Sequence, residues 1–132
     1  MNENVKYFIE DNINLIDKND WEEFFKNSQD PNEGLTDESF SECLTVLQSI
    51  GITFTPIQLK DLFIKVMKWL IEGYFEYHDS ESEDIYWFLT HVPNNLFDYR
   101  VEYAQNIIEN NTEELGIELI DTYEGFRLKL VK

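Results

Sequence analysis

Few side chains in this sequence have a type and spacing suited to chemistry. The richest run is Asp79-Ser80-Glu81-Ser82-Glu83-Asp84. Alternating acids of this kind open a calcium loop, but such a loop also needs Gly at its sixth position and Glu at its twelfth. Those positions hold Asp84 and Thr90, so the run reads as a row of carboxylates and not as a metal cage. His78 and His91 stand thirteen residues apart, which fits no zinc spacing. Cys43 is the only cysteine, so no intramolecular disulfide is possible. It falls on the apolar face of a predicted helix with no cation nearby in sequence to lower its pKa, and reads as a packed core thiol. The glycines at 34, 51, 73, 116 and 125 form no phosphate-cradling loop. Asn110-Asn111-Thr112 matches a glycosylation acceptor, which has meaning only behind a secretory signal. The 27 carboxylates contain many acid–base pairs, and spacing nominates none of them. A protein without catalytic residues, metal or cofactor is expected.

The elements that position these residues are mainly helical. Val5, Phe8, Ile9 and Ile16 recur at helical spacing and predict a first helix over 3–17. Asp20, with Glu23 three residues on, caps a short helix carrying Trp21, Phe24 and Phe25. Residues 27–34 form a turn-rich loop. Thr36 caps the next helix, Leu35 is placed to staple against Phe40, and Gly51 supplies the left-handed stop. The face of that helix is Phe40, Cys43, Leu44, Leu47 and Ile50. Thr55, Pro56 and Gln58 open the longest helix with a capping box. Its stripe of Leu59, Leu62, Phe63, Val66, Leu70 and Ile71, broadened by Ile57, Ile64 and Trp69, predicts burial on more than one side. Residues 76–84 then read as an acidic loop, followed by a short aromatic helix over Ile85–Leu89 that stops before Pro93. Leu96, Phe97, Val101, Ala104, Ile107 and Ile108 predict a further helix ending at Asn110-Asn111. At 117–131, apolar alternation on both sides of Glu124-Gly125 predicts a β-hairpin, with Tyr123 facing Phe126 and Leu119 facing Leu130. A lone hairpin is marginal in water, so it must pack on helices. The expected fold is mainly α (α+β): five to six helices with a C-terminal hairpin, in one domain over 1–132.

The 132 residues carry 27 acids against 10 bases, a net charge of −17, with 42% hydrophobic and 15% aromatic residues. That is too apolar for a disordered acidic tail. The charge disfavours direct binding to nucleic acid or anionic membrane, both of which need a positive footprint. No run reaches the length of a membrane span; the longest candidate, Val66 to Phe75, is broken by Lys68 and Glu72. The opening residues lack a signal-peptide pattern, so a cytoplasmic location is expected. From Trp69 to Gly125 there are fourteen acids and one base, Arg100. One explanation is solubility, with acids covering the polar faces of helices. The other is a strongly basic protein partner. If extended, Asp79, Glu81 and Glu83 fall on one side about 7 Å apart, a row able to occupy the Lys and Arg positions that a partner keeps for phosphates. Glu76, Tyr77 and Asp84 flank this row, and Tyr74, Tyr86 and Trp87 supply aromatic anchors.

In size, acidity, single cysteine and absence of enzyme motifs, the chain resembles the small acidic inhibitors of phages and mobile elements, anti-CRISPR proteins among them. It also resembles the immunity proteins that neutralise nuclease toxins. The resemblance covers the whole chain, rests on no diagnostic motif and carries over no functional residue. It implies a non-enzymatic inhibitor that occludes a basic, nucleic-acid-binding surface of a protein such as a CRISPR effector or other nuclease. An accessory or structural interaction protein, acidic only for solubility, is the alternative of a different class. A helix-turn-helix over Phe40 to Leu70 is a third, but its second helix offers only Lys60, Lys65 and Lys68 amid a broad apolar stripe.

Overall fold

The computed structural model describes residues 2–131, apart from the side chain of residue 98. Among them are α1 (Glu3–Asp11), α2 (Ile13–Asp17), α3 (Trp21–Ser28), α4 (Asp37–Ser49), α5 (Pro56–Tyr77), β1 (Glu83–Asp84), α6 (Ile85–His91), a 3-10 turn (Leu96–Asp98), α7 (Val101–Asn110), α8 (Thr112–Leu115), β2 (Ile117–Thr122) and β3 (Gly125–Leu130). The protein is mainly helical, with a small antiparallel sheet of order β1-β3-β2 that contains the expected hairpin. No described helix is long and apolar enough to cross a membrane. The chain forms two units, one of residues 1–63 with 94–98, the other of 64–93 with 99–132.

In the first unit the helix starts follow their caps. Asp20 accepts from the Glu23 N–H (3.3 Å) and Thr36 from the Ser39 N–H (3.4 Å). Thr55 and Gln58 close a reciprocal box, each backbone N–H reaching the other's side chain at 2.9 and 3.2 Å. Gly51, at φ +89, stops the chain after α4. Ile50 lies at that C-cap, outside the helical repeat, and is exposed instead of joining the buried face. The first predicted helix is two. Asn12 ends α1 by donating to Phe8 O (2.8 Å) and accepts from Asn27 (2.8 Å), so a side chain competes with the helical ladder at that point. The core gathers Val5, Phe8, Phe24, Phe25, Phe40, Cys43 and Leu47. Burial pushes the Cys43 thiol up to about 11, as befits a packed and unreactive sulfur. Phe97 also joins this cluster, its ring 4.6 Å from that of Phe25 and 6.2 Å from that of Phe40. It does so from a left-handed backbone (φ 60, ψ 32), which breaks the helix expected from Leu96 into a 3-10 turn and α7.

In the second unit Val66, Met67, Ile71 and Tyr74 of α5 are buried, with Ile85, Phe88 and Leu89 of α6, Ala104, Ile107 and Ile108 of α7, and Leu128 of β3. The hairpin packs on α6 and α8. Burial of α5 is narrower than its composition suggests: Ile57 is 81% and Trp69 43% exposed. The hairpin register also departs from expectation. Leu119 faces Leu128 and Asp121 faces Phe126, because the loop is Tyr123-Glu124 and Gly125 closes it at φ +125. This is a two-residue slip, so the side-chain faces are kept: Ile117, Leu119, Leu128 and Leu130 still share one side.

Candidate partner-binding face of the second unit

The segment expected as one acidic loop divides into three parts. Glu76 and Tyr77 belong to the last turn of α5, where Tyr77 is 88% exposed. His78 to Ser82 form the connection. It is not an extended row, since the Ser80 N–H folds back onto His78 O (2.8 Å) and the Ser80 hydroxyl donates to Ser82 O (2.7 Å). Glu83 and Asp84 are β1, paired with Leu128 and Arg127 of β3. Arg127 fixes the end of the connection, donating from Nε to Ser82 Oγ (2.9 Å) and from Nη2 to Ser82 O (3.0 Å).

These parts give the six expected contact residues different surroundings. Glu76, Asp79 and Glu81 are exposed carboxylates with no hydrogen bond or ion pair among the described residues. Glu83 is half-buried and accepts from the Tyr74 hydroxyl (2.5 Å). Asp84 caps α6 by accepting from the Trp87 N–H (2.8 Å). Glu83 and Asp84 thus serve the local fold, and the exposed acids are the three before them. Tyr77 stands beside them in solvent.

Tyr74 organises this region and is itself only 8% exposed. Its phenol is pushed up to about 12, first by burial, then by the hydrogen bond and charge of Glu83, against a smaller opposing effect of Arg127. It therefore stays a proton donor. Its ring lies 4.3 Å from His78 and 6.0 Å from Trp87, and Trp87 stacks on His91 at 4.5 Å and 11°. The two histidines, unremarkable by spacing, are thus joined through Tyr74 and Trp87 in one aromatic strip. Only the folded end of α5 beside α6 brings these rings together. A pocket of about 620 Å³ opens next to the connection, lined by Phe75, Asp79, Glu81, Glu118, Lys129 and Leu130 among others. Sequence reasoning missed Glu118 and Lys129, because they reach the site through strand pairing and not through proximity along the chain.

With three carboxylates against one ammonium and apolar lining from Phe75 and Leu130, this pocket suits a Lys or Arg side chain. Among the described residues no group of three or more His, Cys, Asp or Glu is arranged to hold a metal ion. Fold and site together define an acidic, mainly helical α+β protein with a carboxylate and aromatic face open to solvent. No protein family matches the sequence, and no curated protein or solved structure matches the chain.

Proposed function

We propose that the protein is a non-enzymatic inhibitor that binds a basic, nucleic-acid-binding surface of a partner protein, such as a CRISPR effector or a nuclease toxin, and occludes it. The observation that carries this reading is the end of α5 and the connection after it, where Glu76, Asp79 and Glu81 are exposed with no ion pair among the described residues, beside the exposed ring of Tyr77. Unpaired carboxylates are available to the Arg and Lys side chains a partner reserves for phosphates. An aromatic ring among them supplies the desolvated anchor that charge alone lacks. Association steered by such a face is fast and slows with salt.

The test is a Glu76→Lys, Asp79→Lys, Glu81→Lys variant that leaves Glu83 and Asp84 in place. Partner capture is compared at low and high salt, and the captured protein is then challenged with its nucleic acid. The native protein should release its partner as salt rises and compete with nucleic acid, and the folded variant should bind about tenfold more weakly or worse. A folded variant of full affinity, or a partner holding inhibitor and nucleic acid together, would overturn the proposal.

A further inference from the structure

The sheet of the second unit has an open side. Its order, β1-β3-β2, leaves the six residues of β2 on an edge. The Val131 N–H donates to Gly116 O (2.9 Å), and the pairing continues from Ile117↔Leu130 to Thr122↔Gly125. Antiparallel alternation then fixes the direction of each backbone group. Glu118, Ile120 and Thr122 turn their N–H and C=O toward β3, whereas Ile117, Leu119 and Asp121 turn theirs away. No hydrogen bond among the described residues engages the outward groups of Leu119 or Asp121. β2 packs chiefly against β3 and against α8, the helix leading into it.

Edges of this kind are normally blunted by charged side chains, Lys above all, or by Pro, a bulge or extreme shortness. β2 has no Lys or Pro, and its register is unbroken. It carries charge of a single sign. Glu118 and Asp121 lie within it, Glu113 and Glu114 precede it, Glu124 follows it, and no cation occurs over 112–124. Pairing with a second copy would bring two such sets of carboxylates together, which like-charge repulsion opposes. A strand bearing cations meets the opposite situation.

We infer that the open edge of β2 receives one extended strand of a basic partner protein, lengthening the sheet to β1-β3-β2-partner. Leu119 is half-buried on the face shared with Ile117 and Leu128, and calls for an apolar residue opposite it. Asp121, two residues on and on the same face, calls for Lys or Arg. The incoming strand thus carries an apolar and a basic residue two positions apart on one face. The inference rests on the reading that the partner is basic, and adds the mode of docking.

The probe is a synthetic peptide Lys-Thr-Val-Thr-Lys, with Glu replacing Lys in the control, added to the whole chain while amide hydrogen exchange is followed residue by residue. In the free protein the amides of Leu119 and Asp121 should exchange quickly and those of Glu118 and Ile120 slowly. The basic peptide should slow Leu119 and Asp121, and the acidic peptide should not. Asp121→Lys should weaken the peptide roughly two- to fivefold, and Glu102→Lys, the same charge change on α7, should weaken it less. Slow exchange at Leu119 and Asp121 in the free chain, or no binding of the basic peptide at low salt, would overturn the inference. Peptide binding that leaves both amides fast would also overturn it, while leaving the basic-partner reading intact.

Discussion

At the scale of single residues, the Tyr74–Glu83 hydrogen bond separates a carboxylate engaged in the fold from the exposed Glu76, Asp79 and Glu81. Tyr74→Phe removes the donor from a half-buried carboxylate and should cost about 1–2 kcal/mol in urea unfolding. The same substitution has a spectroscopic signature. In an ultraviolet titration the Tyr74 phenol should ionise near pH 12, and Tyr74→Phe should remove that step. The sign for stability follows. A phenol whose ordinary value is 10.0 and whose folded value is about 12 contributes stability that is complete below pH 10.0 and lost as pH rises through 12. Cys43 acts in the same direction between 9.0 and about 11, so unfolding midpoints should fall on the alkaline side and fall less in Tyr74→Phe.

At the scale of elements, what the sequence made legible was whatever local chemistry decides. Asp20, Thr36, Thr55-Pro56 with Gln58, and Gly51 start and stop helices through contacts made within a few residues, and they appear where the spacing puts them. Features decided by distant partners were not legible. Glu83 and Asp84 read as loop because their partner strand lies more than forty residues downstream. The hairpin slipped by two because Gly125 closes the turn where it was expected within the loop. Of the site, the exposed carboxylates could be named in advance, but not the capture of Glu83 and Asp84 or the arrival of Glu118 and Lys129. Phe97 is the sharpest case, since its residue type suits a helix and its packing among Phe25, Phe40 and Phe63 sets a left-handed backbone. This inverts the usual order of substitutions. In a regular helix Gly is less stable than Ala by about 1 kcal/mol, but at residue 97 Phe97→Gly should be the more stable of the two by about 1 kcal/mol. Urea unfolding of the pair decides it.

At the scale of the whole molecule, folding redistributes the charge. Along the chain the negative excess concentrates after Trp69, but the first unit holds fourteen acids and four bases and the second thirteen acids and six bases. The cations at 65, 68, 127 and 129 fold into the same unit as the acidic stretch, so what distinguishes the face is that Glu76, Asp79 and Glu81 are exposed with no ion pair among the described residues. A net charge of −17 also opposes compactness through self-repulsion. Raising salt should therefore stabilise the protein, by on the order of 1 kcal/mol or roughly 4 °C in a thermal melt, while weakening the proposed grip on a basic partner. The Arg127 clamp on Ser82 reaches across 45 residues, and it imposes an order on biosynthesis. A growing chain that has passed residue 82 has its acids but not the strand and guanidinium that hold the connection between α5 and β1. The proposed binding face would therefore take its shape only once residues 125–130 have emerged and paired.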